Sequence, residues 1–440
     1  MRQAVLSMAL FVILSGGRAT VSFGDDKQTA TWVGREVDAL VALYKEFHAA
    51  PELSFVEGNT AAKLAGELKK VGCEVTTGVG KTGVVGVLKN GAGPTVMIRS
   101  DLDALPVVEA TGLPYASKVM TKDRFGVDAP AMHACGHDIH ITCLIGMARF
   151  LTANKDAWRG TVIFLGQPAE EIVSGAEAML KDGLFTRFPK PDFALALHVD
   201  HELPAGKIGH RAGYALANTD AVDVVMKGRG GHGSAPNKAI DPIMQAAHFI
   251  VDLQTLVSRE NSPLDPAVIT VGSIHGGTKH NIIGDSCRMQ LTVRSYKPEV
   301  RQRLLDGIVR KAKAAAASAN APEPTIEFSD TTPAMHNDER LVERMVPVFH
   351  RVLGKDNVEP AEPSMGGEDF SRYGLAGVPI FMFKLGSIAP QRVEAMSKAG
   401  KPLPTLHSAL YYPDPDPTIR TGLIAMSAAV LELMPAKKSQ

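Results

Sequence analysis

The stretch MHACGHDIHITCL, starting at Met132, carries His133, Cys135, His137, Asp138 and His140 within eight residues. Imidazole, thiolate and carboxylate are the ligands of zinc and neighbouring divalent ions, so the chemistry this spacing suggests is metal binding. His133 and His137 stand four apart, as a zinc-binding pair on one helix face would. Gly136 and the absence of a Glu after His133 argue against that motif. A turn entering a helix, with Cys135 and His137 both directed back into a site, fits better. A helix cap with satisfied polar groups is the alternative.

FLGQPAEEIVSGAEAML adds two adjacent carboxylates, Glu170 and Glu171, directly after an apolar strand pattern. Neighbouring side chains leaving a strand end point in different directions. One can therefore bind metal while the other faces a substrate, a pairing suited to a ligand and a general base. A surface acidic pair opening a helix would read the same way. His198, behind five apolar residues in FALALHVD, is either a ligand or a satisfied core histidine. His407, in LHSALYYPD, has no meaning by itself. Both histidines gain significance only beside the other clusters.

These residues need a scaffold. TVMIRSDLD, TVIFLGQ and FALALHV are apolar, β-forming runs ending on polar residues, and helical patterns such as NTAAKLAGELKKVG separate them. That alternation predicts an α/β fold, a mostly parallel sheet sandwiched by helices. Ligands collect outside the carboxyl ends of such strands, where Asp101, Asp103, Gln167, Glu170, Glu171 and His198 fall. From about Tyr214 to Asp330 the order becomes βαββαβ, that of a ferredoxin-like unit complete in itself. The predicted division is a catalytic part over 31–213, an inserted domain over 214–330, and a second catalytic part over 331–437.

The chain of 440 residues balances Lys+Arg and Asp+Glu at 47 each and is 45% hydrophobic, which gives no sign of a nucleic-acid partner. Arg2 followed by the apolar run Ala4 to Leu14 has the layout of a signal peptide over 1–24, so export to the periplasm or cell exterior is expected. A buried N-terminal helix is the alternative. No later run is long enough to span a membrane, so no stable membrane association is expected after cleavage. Four cysteines (Cys73, Cys135, Cys143, Cys287) are too few for a disulfide framework in a chain this long.

Taken together, HAAPELSFVE, RSDLDALPV, MHACGHDIH, QPAEE, ALHV, GRGGHGSAP, HNIIGD, GGEDFSRY and LHSALYY occur in that order across nearly the whole mature chain. In this the sequence resembles the metal-dependent aminoacylase/carboxypeptidase superfamily of M20 type. Within it, the resemblance is to the amidohydrolase branch of hippurate hydrolases, N-acyl-amino-acid amidohydrolases and auxin–amino-acid conjugate hydrolases. The resemblance implies two divalent ions, manganese or zinc with cobalt or nickel as further options. They would be held by Cys135, His137, Glu171, His198 and His407, with the Cys135 thiolate bridging. It implies Glu170 as general base, activating water to attack the amide of an N-acyl or N-aroyl amino acid. A dipeptidase or carboxypeptidase could use the same site. Where the wider superfamily has a histidine ligand, this chain has Asp101-Leu102-Asp103, which moves ligation to His137 and leaves Asp103 to orient a ligand histidine. His232 in GGHGSAP would donate to the oxyanion, reaching across from the partner subunit of a homodimer as in relatives. A glycine-rich turn is the plainer reading of that segment. A substrate carboxylate calls for a cation, and Arg294 on LTVRSY is a candidate, with Asn281 donating beside it. Gly366 in SMGGEDF would allow close approach. All three could instead be structural.

Overall fold

A computed structural model describes residues 24–436. The segment read as a signal peptide lies outside them, apart from Gly24. In chain order the main elements begin with α1 (Gly24–His48), α2 (Gly58–Lys70), β1 (Glu74–Val79), β2 (Gly83–Asn90), β3 (Thr95–Asp101) and α3 (His137–Ala153). Next come β4 (Gly160–Gln167), β5 (Phe193–Pro204), β6 (Ile208–His210), β7 (Asn218–Lys227), α4 (Pro242–Thr255), β8 (Ala267–Gly276) and β9 (Ser286–Ser295). The chain continues with α5 (Pro298–Ser318), β10 (Thr325–Thr332), α6 (Glu339–Leu353), β11 (Val358–Pro360), β12 (Ile380–Ile388) and α7 (Pro415–Leu433).

Eight strands form one sheet in the order β1-β2-β4-β3-β5-β12-β6-β11. Its centre, β4-β3-β5-β12, is parallel, as the apolar runs predict. The sheet as a whole is mixed. The β1/β2 hairpin joins β4 antiparallel, and β6 runs antiparallel to β12. Of these flanking strands β1 is half exposed and β6 only three residues long, so neither carries the continuous apolar signature of a strand covered on both faces, whereas β2, GVVGVLKN, does. Along β12, Phe381 and Phe383 enter one apolar core while Ile380 and Met382 enter the other, so the two-residue period divides the sheet between two helical layers.

Helix α3 lies in the larger layer, with almost every side chain buried. An amphipathic stripe is absent because α1 and α7 cover the side away from the sheet. Gly146 permits that packing: a Cβ there would meet Leu423 Cδ2 at 2.7 Å. The helix N-terminus thereby sits at the carboxyl ends of the central strands.

Residues 218–332 form a separate four-stranded antiparallel sheet, β8-β9-β7-β10, with α4 and α5 packed on its own apolar core. The element order is the βαββαβ of the sequence reading. The two connections to the main sheet pair with each other, Gly213–Leu216 against Met335–Asn337. The crossing is therefore an antiparallel ribbon and not two independent linkers. Among the described residues no helix is long and apolar enough to cross a membrane.

Candidate metal centre

Cys135 and His137 sit on either side of Gly136, whose φ of 73° makes the turn into α3. A Cβ at Gly136 would lie 2.6 Å from Val199 Cγ2, so only glycine lets this turn press against β5. His137, the first residue of α3, donates from Nδ1 to the Asp103 carbonyl at 2.8 Å. His198, on β5, donates from Nδ1 to the Val199 carbonyl at 2.8 Å. Each bond fixes a tautomer whose Nε2 lone pair points inward, the usual preparation of a metal-binding imidazole. His407 joins from the C-terminal part through its amide, which donates to the Ala134 carbonyl at 2.9 Å. Its φ of 66° is a left-handed conformation rare outside glycine. Glu171 completes the set, with Oε2 3.5 Å from His407 Nε2 and Oε1 3.8 Å from His137 Nε2.

Several groups of candidate ligand atoms here lie within 4.8 Å of one another, some of them drawing on Asp101 and Glu368, and two contain the cysteine: Cys135, His137 and His198, and Cys135, Glu171 and His407. These two triads share the thiol. His137 Nε2 and Glu171 Oε1 are buried and have no hydrogen-bond partner among the described residues. Buried polar atoms are rarely left so, and a cation between them is the partner this donor set calls for. The residues present fit a metal centre.

The electrostatics agree. Burial, with Glu171 and Glu170 adding to it, pushes the Cys135 thiol well above its usual range. Burial and the neighbouring Asp103 and Asp101 carry Glu171 up to about 8, against the pull of His137. Burial and Glu368 raise Glu170 well above the ordinary carboxylate range. Burial alone would lower His137, but Asp101 and the other carboxylates lift it to about 10, a measure of how strongly this spot favours positive charge. A pocket this crowded with anions is stabilised by positive charge.

Asp103 meets the His137 ring twice, through its carbonyl at 2.8 Å and with its carboxylate Oδ1 3.6 Å from the same Nδ1. Of the two, the carbonyl takes the hydrogen bond. The carboxylate accepts the Glu170 and Glu171 amides at 3.1 and 3.0 Å and the Ser54 hydroxyl at 2.6 Å. It shapes the acidic loop from behind and does not face the cavity. Two residues of the dense opening stretch are not ligands in this geometry. His140 bonds Asp101 at 2.6 Å through Nδ1 and accepts the Val199 amide at 3.0 Å through Nε2, leaving no lone pair inward. His133 is buried away from either triad. Arg99, which sequence reasoning passed over, bonds Asp101, Glu368 and Asp369 beneath the site. A charged residue inside the apolar run VMIRSD was the available signal.

Above the triads opens a cavity of about 820 Å³. Cys135, Glu170, Glu171, His198 and His407 line it from the main sheet, and Arg294 lines it from β9 of the inserted sheet. Arg294 donates to the Met365 carbonyl at 2.9 Å and to Thr292 Oγ1 at 3.1 Å. Gly366 lines the cavity as well. His232 and Asn281 do not. His232 pairs opposite Ile282 in a two-stranded ribbon outside the four-stranded sheet, exposed, with Nδ1 2.6 Å from Ser234 Oγ. The Asn281 carbonyl accepts the Gly233 amide in the same ribbon. Both segments are short and glycine-rich, so they pair with each other and stay clear of the cavity of their own chain.

A thiol shared by two ligand triads beside a buried carboxyl has the parts of a metal-dependent hydrolase, and the relatives make the class a metal-dependent amidohydrolase. The chain belongs to peptidase family M20/M25/M40, which it matches over residues 97–398. It is 39% identical over 330 residues to the hippurate hydrolase of Campylobacter jejuni, covering 74% of this chain and 82% of that one. It is 36% identical over 358 residues to thermostable carboxypeptidase 1 of Saccharolobus solfataricus, covering 80% of this chain and 87% of that one. Among solved structures it resembles a dinuclear metal binding peptidase of the M20 family from Bacillus subtilis. That match has a TM-score of 0.72 and 30% identity, with 91% of this chain and 98% of that one covered.

Proposed function

We propose that this protein hydrolyses the amide bond of N-acyl or N-aroyl amino acids at a site built for two divalent ions, manganese or zinc. One observation carries the reading: Cys135 belongs to both ligand triads, with the buried Glu170 carboxyl alongside. Divalent cations held there would supply a water of lowered pKa and positive charge for a developing oxyanion. Glu170 takes the proton from the attacking water and returns it to the leaving amine nitrogen. Asp103 keeps that carboxyl and the Glu171 ligand pointing apart. Arg294 receives the substrate carboxylate, and Gly366 lets the backbone approach it. His232, exposed on its ribbon, and Asn281, half-buried there, act from a second copy in a homodimer, the oxyanion being the target of His232. Export, supported by the composition of residues 1–24, belongs to the same proposal.

The test is metal analysis of the purified protein followed by a panel of hippurate, N-acetyl amino acids and unblocked dipeptides, with manganese or zinc added. Turnover of the acylated compounds and about two metal ions per chain are expected. Preference for free dipeptides or C-terminal peptide cleavage would assign the site to a dipeptidase or carboxypeptidase instead.

A further inference from the structure

Among the described residues, Val173 is the only β-branched one with a positive φ, 48°. A left-handed backbone is costly for such a side chain and persists only where its surroundings impose it. Here they do. The Val173 amide donates to the Glu170 carbonyl at 2.7 Å, and the Ser174 and Gly175 amides both reach the Ala169 carbonyl at 3.2 Å. A Cβ on Gly175 would fall 1.5 Å from the Pro168 carbonyl oxygen, so only glycine fits where the turn closes. The hydrogen bonds need only backbone, and glycine or asparagine would satisfy them with less strain. What the valine adds is an isopropyl group, and Val173 and its neighbour Ile172 both line the cavity.

We propose that Val173, with Ile172, forms the wall of the acyl half of the cavity and limits the size of the apolar acyl group the enzyme accepts. This rests on the N-acyl amino acid reading above. Ile172, Val173 and Leu406 are the apolar side chains contributed by the two loops that carry Glu171 and His407. The cation suited to a carboxylate, Arg294, comes from β9 instead. Chemistry at the amide therefore leaves the acyl group beside the ligand loops.

The experiment compares wild type, Val173→Ala and Val173→Gly on N-acetyl, N-hexanoyl and N-benzoyl derivatives of one amino acid, with melting temperature and metal content measured in parallel. Trimming the wall should raise the ratio of hexanoyl to acetyl kcat/KM by about tenfold at unchanged metal content. The glycine variant should melt above the alanine variant, reversing their usual order, because only alanine retains the backbone strain. Val173→Asn, tolerant of the left-handed region, repeats the comparison should glycine loosen the loop. An unchanged acyl ratio in active variants overturns the wall, and alanine melting at or above glycine overturns the strain argument. A wild-type enzyme inert to every acyl derivative defeats the amidohydrolase reading itself, a distinguishable result.

Discussion

The two oxygens of the Asp103 carboxylate each take one amide, from Glu170 and Glu171, so one buried side chain sets where both acidic residues point. The consequence is a division of labour between chemically identical neighbours. Glu170→Gln keeps size and hydrogen bonding but cannot accept a proton. It should retain metal and melting temperature while kcat falls by roughly 10²–10⁴-fold, read by metal analysis and steady-state kinetics on one preparation. Undiminished turnover would remove Glu170 as the base. Cys135, His137 and the acidic pair were legible in sequence because their types are rare at such density. Arg99 was not, because its three carboxylate partners come from strand β3 itself and from a loop nearly 270 residues further on.

At the scale of elements, α1 and the entry to α3 are joined through His48. The last residue of α1 bonds Asp138 at 2.7 Å and Glu109 at 3.1 Å, wholly buried. Burial by itself would lower its pKa, but the bonds to Asp138 and Glu109 prevail and raise it to about 9. The unfolded chain releases this proton near the ordinary value of ~6.5. Below that pH both states hold the proton and the stabilisation is complete. It declines as pH rises from there and is gone above about 9. The amplitude is on the order of 3 kcal/mol, from ~1.4 kcal/mol per pKa unit. The melting-temperature gap between wild type and His48→Gln should therefore be widest near pH 6 and close toward pH 10. A gap independent of pH refutes the linkage. Periodicity foretold the helices that this contact joins. It could not foretell the contact, because neither helix pattern records which end meets which.

For the molecule as a whole, the candidate ligands come from four separated segments: the turn before α3, the loop after β4, strand β5 and the loop before α7. Ions held there tie those segments together in the folded state only. Ligand at about a hundred times its Kd stabilises a fold by ~2.7 kcal/mol. Chelation should accordingly lower the melting temperature, and restoring manganese or zinc should recover it, both read by calorimetry. A melting temperature indifferent to chelator would mean that these segments hold no ion between them.

Residue types and local patterns by themselves determined the α/β class, the βαββαβ insertion and the set of groups able to bind metal, because period and composition are properties of short windows. Tertiary structure alone decided that Cys135 is common to both triads and that His140 is committed to Asp101 instead of a metal. It also decided that the Asp103 carbonyl orients His137, and that His232 and Asn281 stand outside the cavity of their own chain. Each of these depends on which strand ends lie side by side. That is settled by packing α3 between the sheet and the α1–α7 layer, a contact spread over nearly the full length of the chain and written in no single stretch of it.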